Sequence, residues 1–103
     1  IEPWAGWMRR IGRETGAVCK LSGLASEAAA GWTVEALRPF VEVLLEAFGP
    51  SRLMWGSDWP VVNEAGGYHT WIAASKALVG ILPVADQALV FGGVAANFYG
   101  IEA

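Results

Sequence analysis

The sequence predicts an α/β fold, and three observations carry that prediction. Two short apolar runs, AVCKLSGL at 17–24 and RLMWGSD at 52–58, are bounded by glycine, proline and aspartate as buried strands are. The segments before, between and after them place apolar residues at helical spacings of three and four. Strands that alternate with helices pair in parallel, because parallel neighbours need a crossover between them.

The elements follow in order. Residues 3–15, PWAGWMRRIGRET, set Trp4, Trp7, Met8 and Ile11 on one helical face and Arg9, Arg10 and Arg13 on the other, with Pro3 suited to a first turn. Gly16 ends this helix and the first strand begins. Alternation along that strand puts Val18, Lys20 and Ser22 on one side and Cys19, Leu21 and Leu24 mostly on the other. After a loop of small residues at 25–32, a helix starts with Thr33 as its cap and lines Val41, Leu44, Leu45 and Phe48 along one side. Pro39 either kinks that helix or marks a second one, since an interior proline costs about 3 kcal/mol. Gly49 and Pro50 stop it. The second strand, 52–58, directs Met54, Gly56 and Asp58 to one face, with Gly56 leaving room beside the carboxylate. A third helix spans about 68–82 with Trp71, Ile72, Ser75, Leu78, Val79 and Leu82 buried, and two short helices separated by Gly92 and Gly93 complete the chain.

Two parallel strands are too few to cover their own faces and edges. The chain is 54% hydrophobic and 17% charged, more apolar and less charged than a typical soluble domain, so it seeks more burial than its 103 residues supply. Together with a start at Ile1, this leads us to expect one partial domain, residues 1–103, of a larger α/β barrel or sheet. No apolar run approaches the roughly 20 residues that cross a bilayer, and no leader precedes the first helix, so a cytoplasmic protein without membrane partners is expected. One cysteine, Cys19, and one histidine, His69, offer neither a disulfide nor a zinc cluster. A net charge of −3 with only three clustered arginines is too weak a field for nucleic acid.

In α/β folds reacting groups gather where strands end, and Asp58 stands there, with Lys20 and Ser22 converging from the neighbouring strand. Position alone leaves two readings. Asp58 is either a turn residue accepting backbone hydrogen bonds before Trp59 and Pro60, or a carboxylate placed to work on a bound water.

Four ordered blocks, CKLSGL (19–24), FGPSRLMWGSDWPV (48–61), YHTW (68–71) and FGGVAANFYGI (91–101), resemble the C-terminal part of the amidohydrolase superfamily. The likeness is to its amidohydrolase 2 branch of TIM-barrel hydrolases, and within it to sugar-lactonases acting on fuconolactone and rhamnonolactone. It implies that 17–24 and 52–58 are strands seven and eight of a (β/α)8 barrel. It also implies that Asp58 matches the aspartate that faces the metal or attacking water and serves as general base and proton shuttle.

The activity implied is hydrolysis of a small lactone. The cofactor implied is a divalent metal, zinc by family habit, with Asp58 as a ligand and most other ligands outside this chain; the branch also contains metal-independent variants. Lys20 and Ser22 are candidates for hydrogen bonds to the lactone, or else for a structural contact between strands. Trp59 and Tyr68 are candidates to meet the sugar, while Trp4, Trp7, Trp32, Trp55 and Trp71 are expected in the core. His69, without partners, reads as a surface residue. Family members usually carry asparagine at the place of Val94, read as a helix cap, so the valine is expected to weaken that helix by about 1 kcal/mol. Two alternatives to the lactonase stay open: a decarboxylase of the same superfamily, and a non-catalytic interaction module self-associating through its strand edges. On either enzyme reading the 103 residues alone are expected to be inactive, and homo-oligomerisation remains open.

Overall fold

A computed structural model describes residues 1–28 and 30–101. Among the described residues six α-helical segments accompany a two-stranded parallel sheet, in the order α1 (Trp4–Glu14), β1 (Cys19–Leu21), α2 (Leu24–Glu27), α3 (Val34–Phe48), β2 (Leu53–Trp55), α4 (Tyr68–Val79), α5 (Val84–Ala88) and α6 (Val94–Tyr99). Short 3₁₀ turns precede β2 and follow it, at Pro50–Arg52 and Val61–Ala65.

The strands are shorter than the apolar runs suggested. Cys19, Lys20 and Leu21 pair with Leu53, Met54 and Trp55, and one further bond, from Gly56 N–H to the Leu21 carbonyl at 3.0 Å, extends the ladder. Among the described residues each strand has a single neighbour. Because the strands are parallel, Ser22 and Gly56 leave the sheet at the same edge.

The core forms around β1 and β2: Leu21 and Leu53 meet Leu37, Val41, Leu44 and Phe48 of α3, Trp71, Leu78 and Val79 of α4, and Val90. Thr33 caps α3, its hydroxyl accepting from Ala36 N–H at 3.1 Å. The helix runs unbroken through Pro39, which is exposed, as is Glu35, whose carbonyl the proline leaves without its helical N–H partner.

Helix α1 lies along α3 on a different face from the one its periodicity indicated. Ala5 and Gly12 are buried and Trp4 and Met8 partly so, whereas Trp7 is 62% and Ile11 39% exposed. Gly12 is the reason. Its missing side chain lets the helix backbones approach so closely that a Cβ there would collide with the Ala47 carbonyl, and this turns the small face of α1 toward α3. Of the five tryptophans expected in the core, Trp7 is therefore outside it. Gly12→Ala is expected to destabilise the fold by about 1–3 kcal/mol, read as a lowered thermal midpoint, because neither backbone can give way cheaply. An unshifted midpoint would show that the close approach carries no weight.

Arg52, just ahead of β2, closes the lower end of both helices. Its guanidinium donates to the carbonyls of Gly12 at 2.8 Å, Thr15 at 2.9 Å and Phe48 at 3.3 Å. These oxygens lie at or just past the two C-termini, where carbonyls lack partners within the helix and a positive charge is favoured.

Gly92 and Gly93 do not separate two helices. They lie in a π turn, Leu89–Gly93, that joins α5 to α6 without a break, and Val94 N–H donates to the Leu89 carbonyl. Val94 is thus interior to a helical run and buried, so the expected penalty for a missing cap does not arise. Gly100, at φ 69°, ends α6, with Ile101 N–H reaching back to the Ala96 carbonyl at 2.8 Å. No described helix is long and apolar enough to cross a membrane.

Candidate active site

Two turns at the C-terminal edge of the sheet build the site. After β1, Gly23 adopts φ 79°, a left-handed conformation open to glycine, and swings the chain into α2. Ala25, 2% exposed, pins this short helix to the core, and its neighbour Ser26 is left at the edge.

At the end of β2, one indole on α4 and one on the strand itself tie the strand to that helix. Trp71 Nε1 donates to the Gly56 carbonyl at 2.9 Å, and Trp55 Nε1 donates to Ser75 Oγ at 2.9 Å, which in turn donates to the Trp71 carbonyl at 2.8 Å. Trp71 and Ser75 are both 1% exposed, and the bond between them is fully buried.

Asp58 follows with φ 56°, the one described residue other than glycine in the left-handed region. Aspartate tolerates that region better than most residues, and the turn is secured by Val62 N–H donating to the Asp58 carbonyl at 2.8 Å. The main chain of Asp58 therefore makes the turn, while its carboxylate is engaged elsewhere. Oδ2 accepts from Ser26 Oγ at 2.6 Å, a contact spanning 32 residues of sequence. That is a short hydrogen bond for a hydroxyl and a carboxyl oxygen. No described group donates to Oδ1.

Ser22 lies across from Gly56, where a Cβ would meet the serine Cβ and Oγ at 3.3 Å. The room expected beside Gly56 is thus taken by Ser22, and the missing side chain serves the close approach of the strand ends. Lys20, exposed, pairs in register with Met54 two residues below this contact, and the ion pairs among the described residues do not include it. Trp59 is 68% exposed beside Asp58. Tyr68 opens α4 and meets Trp55 edge-on at 6.1 Å, on the side of β2 opposite Met54 and Gly56. The edge therefore joins Asp58 to Ser26 and sets Ser22 against Gly56, with Lys20 on β1 opposite Met54 and Trp59 next to Asp58 in sequence, and leaves Tyr68 to the other side. His69 is exposed, stacked edge-on against Tyr68 at 5.3 Å.

Ser26, Trp71 and Ser75 were not among the residues the sequence marked for the site. The sequence places Ser26 in a loop of small residues at 25–32, whereas it stands in α2, and nothing local signals a partner so distant. A cleft of about 400 Å³ opens beside it, lined by Ala28, Trp32, Glu64, Gly66 and Thr70 and braced by Trp32 Nε1 donating to the Ala65 carbonyl at 2.8 Å.

Among the described residues no three His, Cys, Asp or Glu side chains gather to hold a metal ion. Asp58 can give a metal one carboxylate, and that is the whole donor set here. By themselves the described residues do not fit a metal centre.

With this geometry in view, likeness to known proteins becomes informative. The sequence pattern of the amidohydrolase family matches residues 1–101. The L-fucono-1,5-lactonase of Burkholderia ambifaria is 38% identical over 105 residues, covering 98% of this chain and 36% of that protein. The L-fucono-1,5-lactonase of Burkholderia multivorans is 36% identical over 104 residues, 95% of this chain and 35% of that one. A crystal structure of an amidohydrolase from Burkholderia multivorans with bound zinc superposes with a TM-score of 0.90 at 32% identity, over 96% of this chain and 37% of that chain. The chain thus spans about a third of the length of the curated relatives it matches.

Proposed function

The chain belongs to the amidohydrolase family, and from that premise we propose that it forms the last two strands of a TIM barrel whose full-length protein hydrolyses a small sugar-acid lactone, with Asp58 as general base. The observation that carries the reading is the carboxylate itself: it stands at the C-terminal end of β2 with one oxygen fixed by Ser26 and the other free of described donors. Barrel enzymes place their reacting groups at that edge.

In this mechanism Asp58 Oδ1 accepts a proton from water as the water oxygen bonds to the lactone carbonyl carbon. The bond between that carbon and the ring oxygen then breaks, and the same proton passes from Asp58 to the departing alkoxide, giving the open hydroxy acid with the base restored. Lys20 and Ser22 are the proposed hydrogen-bonding groups for the carbonyl or sugar hydroxyls, and Trp59 the surface for the ring; Tyr68, from the α4 side, would meet only a part of the substrate that reaches past Trp55. The relative with bound zinc supports a divalent metal in the full-length protein, with Asp58 as one ligand and the rest outside the described residues. No step is assigned to it from the residues described.

The test is to give the full-length protein L-fucono-1,5-lactone and other sugar-acid lactones and follow acid release and product by NMR. One acid equivalent per ring opened is expected. Loss of carbon dioxide from a carboxylic substrate, with lactones untouched, would replace this reading by a decarboxylase.

A further inference from the structure

We propose that Ser26 is a positioning residue for Asp58, holding Oδ2 so that Oδ1 is the oxygen presented to the attacking water. The inference rests on the reading of Asp58 as the base and assigns a role to a residue outside the strands and their immediate ends.

Three features support it. The bond from Ser26 Oγ to Asp58 Oδ2 is 2.6 Å, and it is the one contact described for that carboxylate. Its donor is held independently of its acceptor: Gly23 at φ 79° sets the direction of α2, Glu27 N–H closes the turn onto the Gly23 carbonyl at 3.0 Å, and Ala25 is buried in the core. The two turns also lie side by side, since a Cβ built at Gly23 would stand in van der Waals contact with Asp58 Oδ2, at 3.8 Å. A carboxylate on a loop can rotate about its last torsion and offer either oxygen. A hydroxyl donor fixed on one oxygen removes that freedom, and reactions that require aligned atoms are sensitive to such freedom.

The bond also survives the catalytic cycle. When Oδ1 takes the proton of the water, Oδ2 keeps lone pairs and continues to accept from Ser26, which neither gains nor loses a proton itself. Ser26 therefore affects turnover more than substrate binding.

Kinetics of the full-length protein test this. Ser26→Ala is expected to lower kcat by about 10- to 100-fold, the size of a lost hydrogen bond to a charged group, with KM changed less than about threefold. Ser26→Thr, which keeps the hydroxyl, is expected to recover kcat to within about threefold of the starting protein. Melting curves accompany each variant. If Ser26→Ala keeps its kcat while Asp58→Asn is inactive, the role of Ser26 is overturned and the base stands. If alanine and threonine lose activity alike along with their melting midpoints, the hydroxyl is not the active feature and the inference is again overturned. Full activity in Asp58→Asn would remove the base and, with it, this role.

Discussion

Asp58→Asn is expected to lower kcat for lactone hydrolysis by about 100- to 10,000-fold while KM moves by less than about threefold. The amide has the shape of the carboxylate, and its oxygen can still accept from Ser26, so the turn and the strand end should keep their arrangement. What it lacks is the basic lone pair that takes a proton from water and later returns it. A loss confined to kcat is the signature of an interaction made in the transition state. The left-handed backbone at Asp58 makes asparagine the appropriate probe, since asparagine shares the tolerance for φ near 56° that alanine lacks. Turnover equal to that of the unaltered protein would remove Asp58 from the chemistry.

Trp71→Ala is expected to cost about 3–5 kcal/mol of stability, the range for emptying a buried aromatic site. The ring is 1% exposed and packs in the core, and its N–H is the described partner of the Gly56 carbonyl. Removing it opens a cavity and takes away the partly buried carbonyl's indole donor. Trp71→Phe separates the two losses: it keeps most of the volume and gives up the hydrogen bond, so a smaller penalty of about 1–3 kcal/mol is expected. Denaturant unfolding measures both, and equal penalties would show that the hydrogen bond, rather than the volume, dominates.

Much of this could be read in the sequence, for physical reasons. Period-two and period-four patterns located the strands and the long helices, Thr33 declared its cap, and the break at Gly49 and Pro50 fixed where β2 begins. Asp58 stands out as a carboxylate ending a buried strand, but its position fits a turn residue as well as a base, and the family resemblance is what favours the second reading. Ser26 does not stand out, since its contact depends on a left-handed glycine three residues earlier and on a partner 32 residues away. Apolar periodicity points to the wrong face of α1 because it ranks large side chains, whereas the packing there turns on Gly12, the smallest. Gly92 and Gly93 were read as a break, yet the π turn absorbs them within a continuous helical run.

The indole anchors of β2 bear on the order in which a ribosome delivers the chain. Trp71 and Ser75 lie 15 and 20 residues after the positions they secure at Gly56 and Trp55. Asp58 thus leaves the exit tunnel before the helix that fixes its strand, while Ser26 has already emerged. During synthesis the carboxylate can meet its hydroxyl partner early, but the edge on which both stand becomes rigid only once α4 has docked. A stalled chain ending before residue 71 should therefore hold the acid and the serine without holding the site.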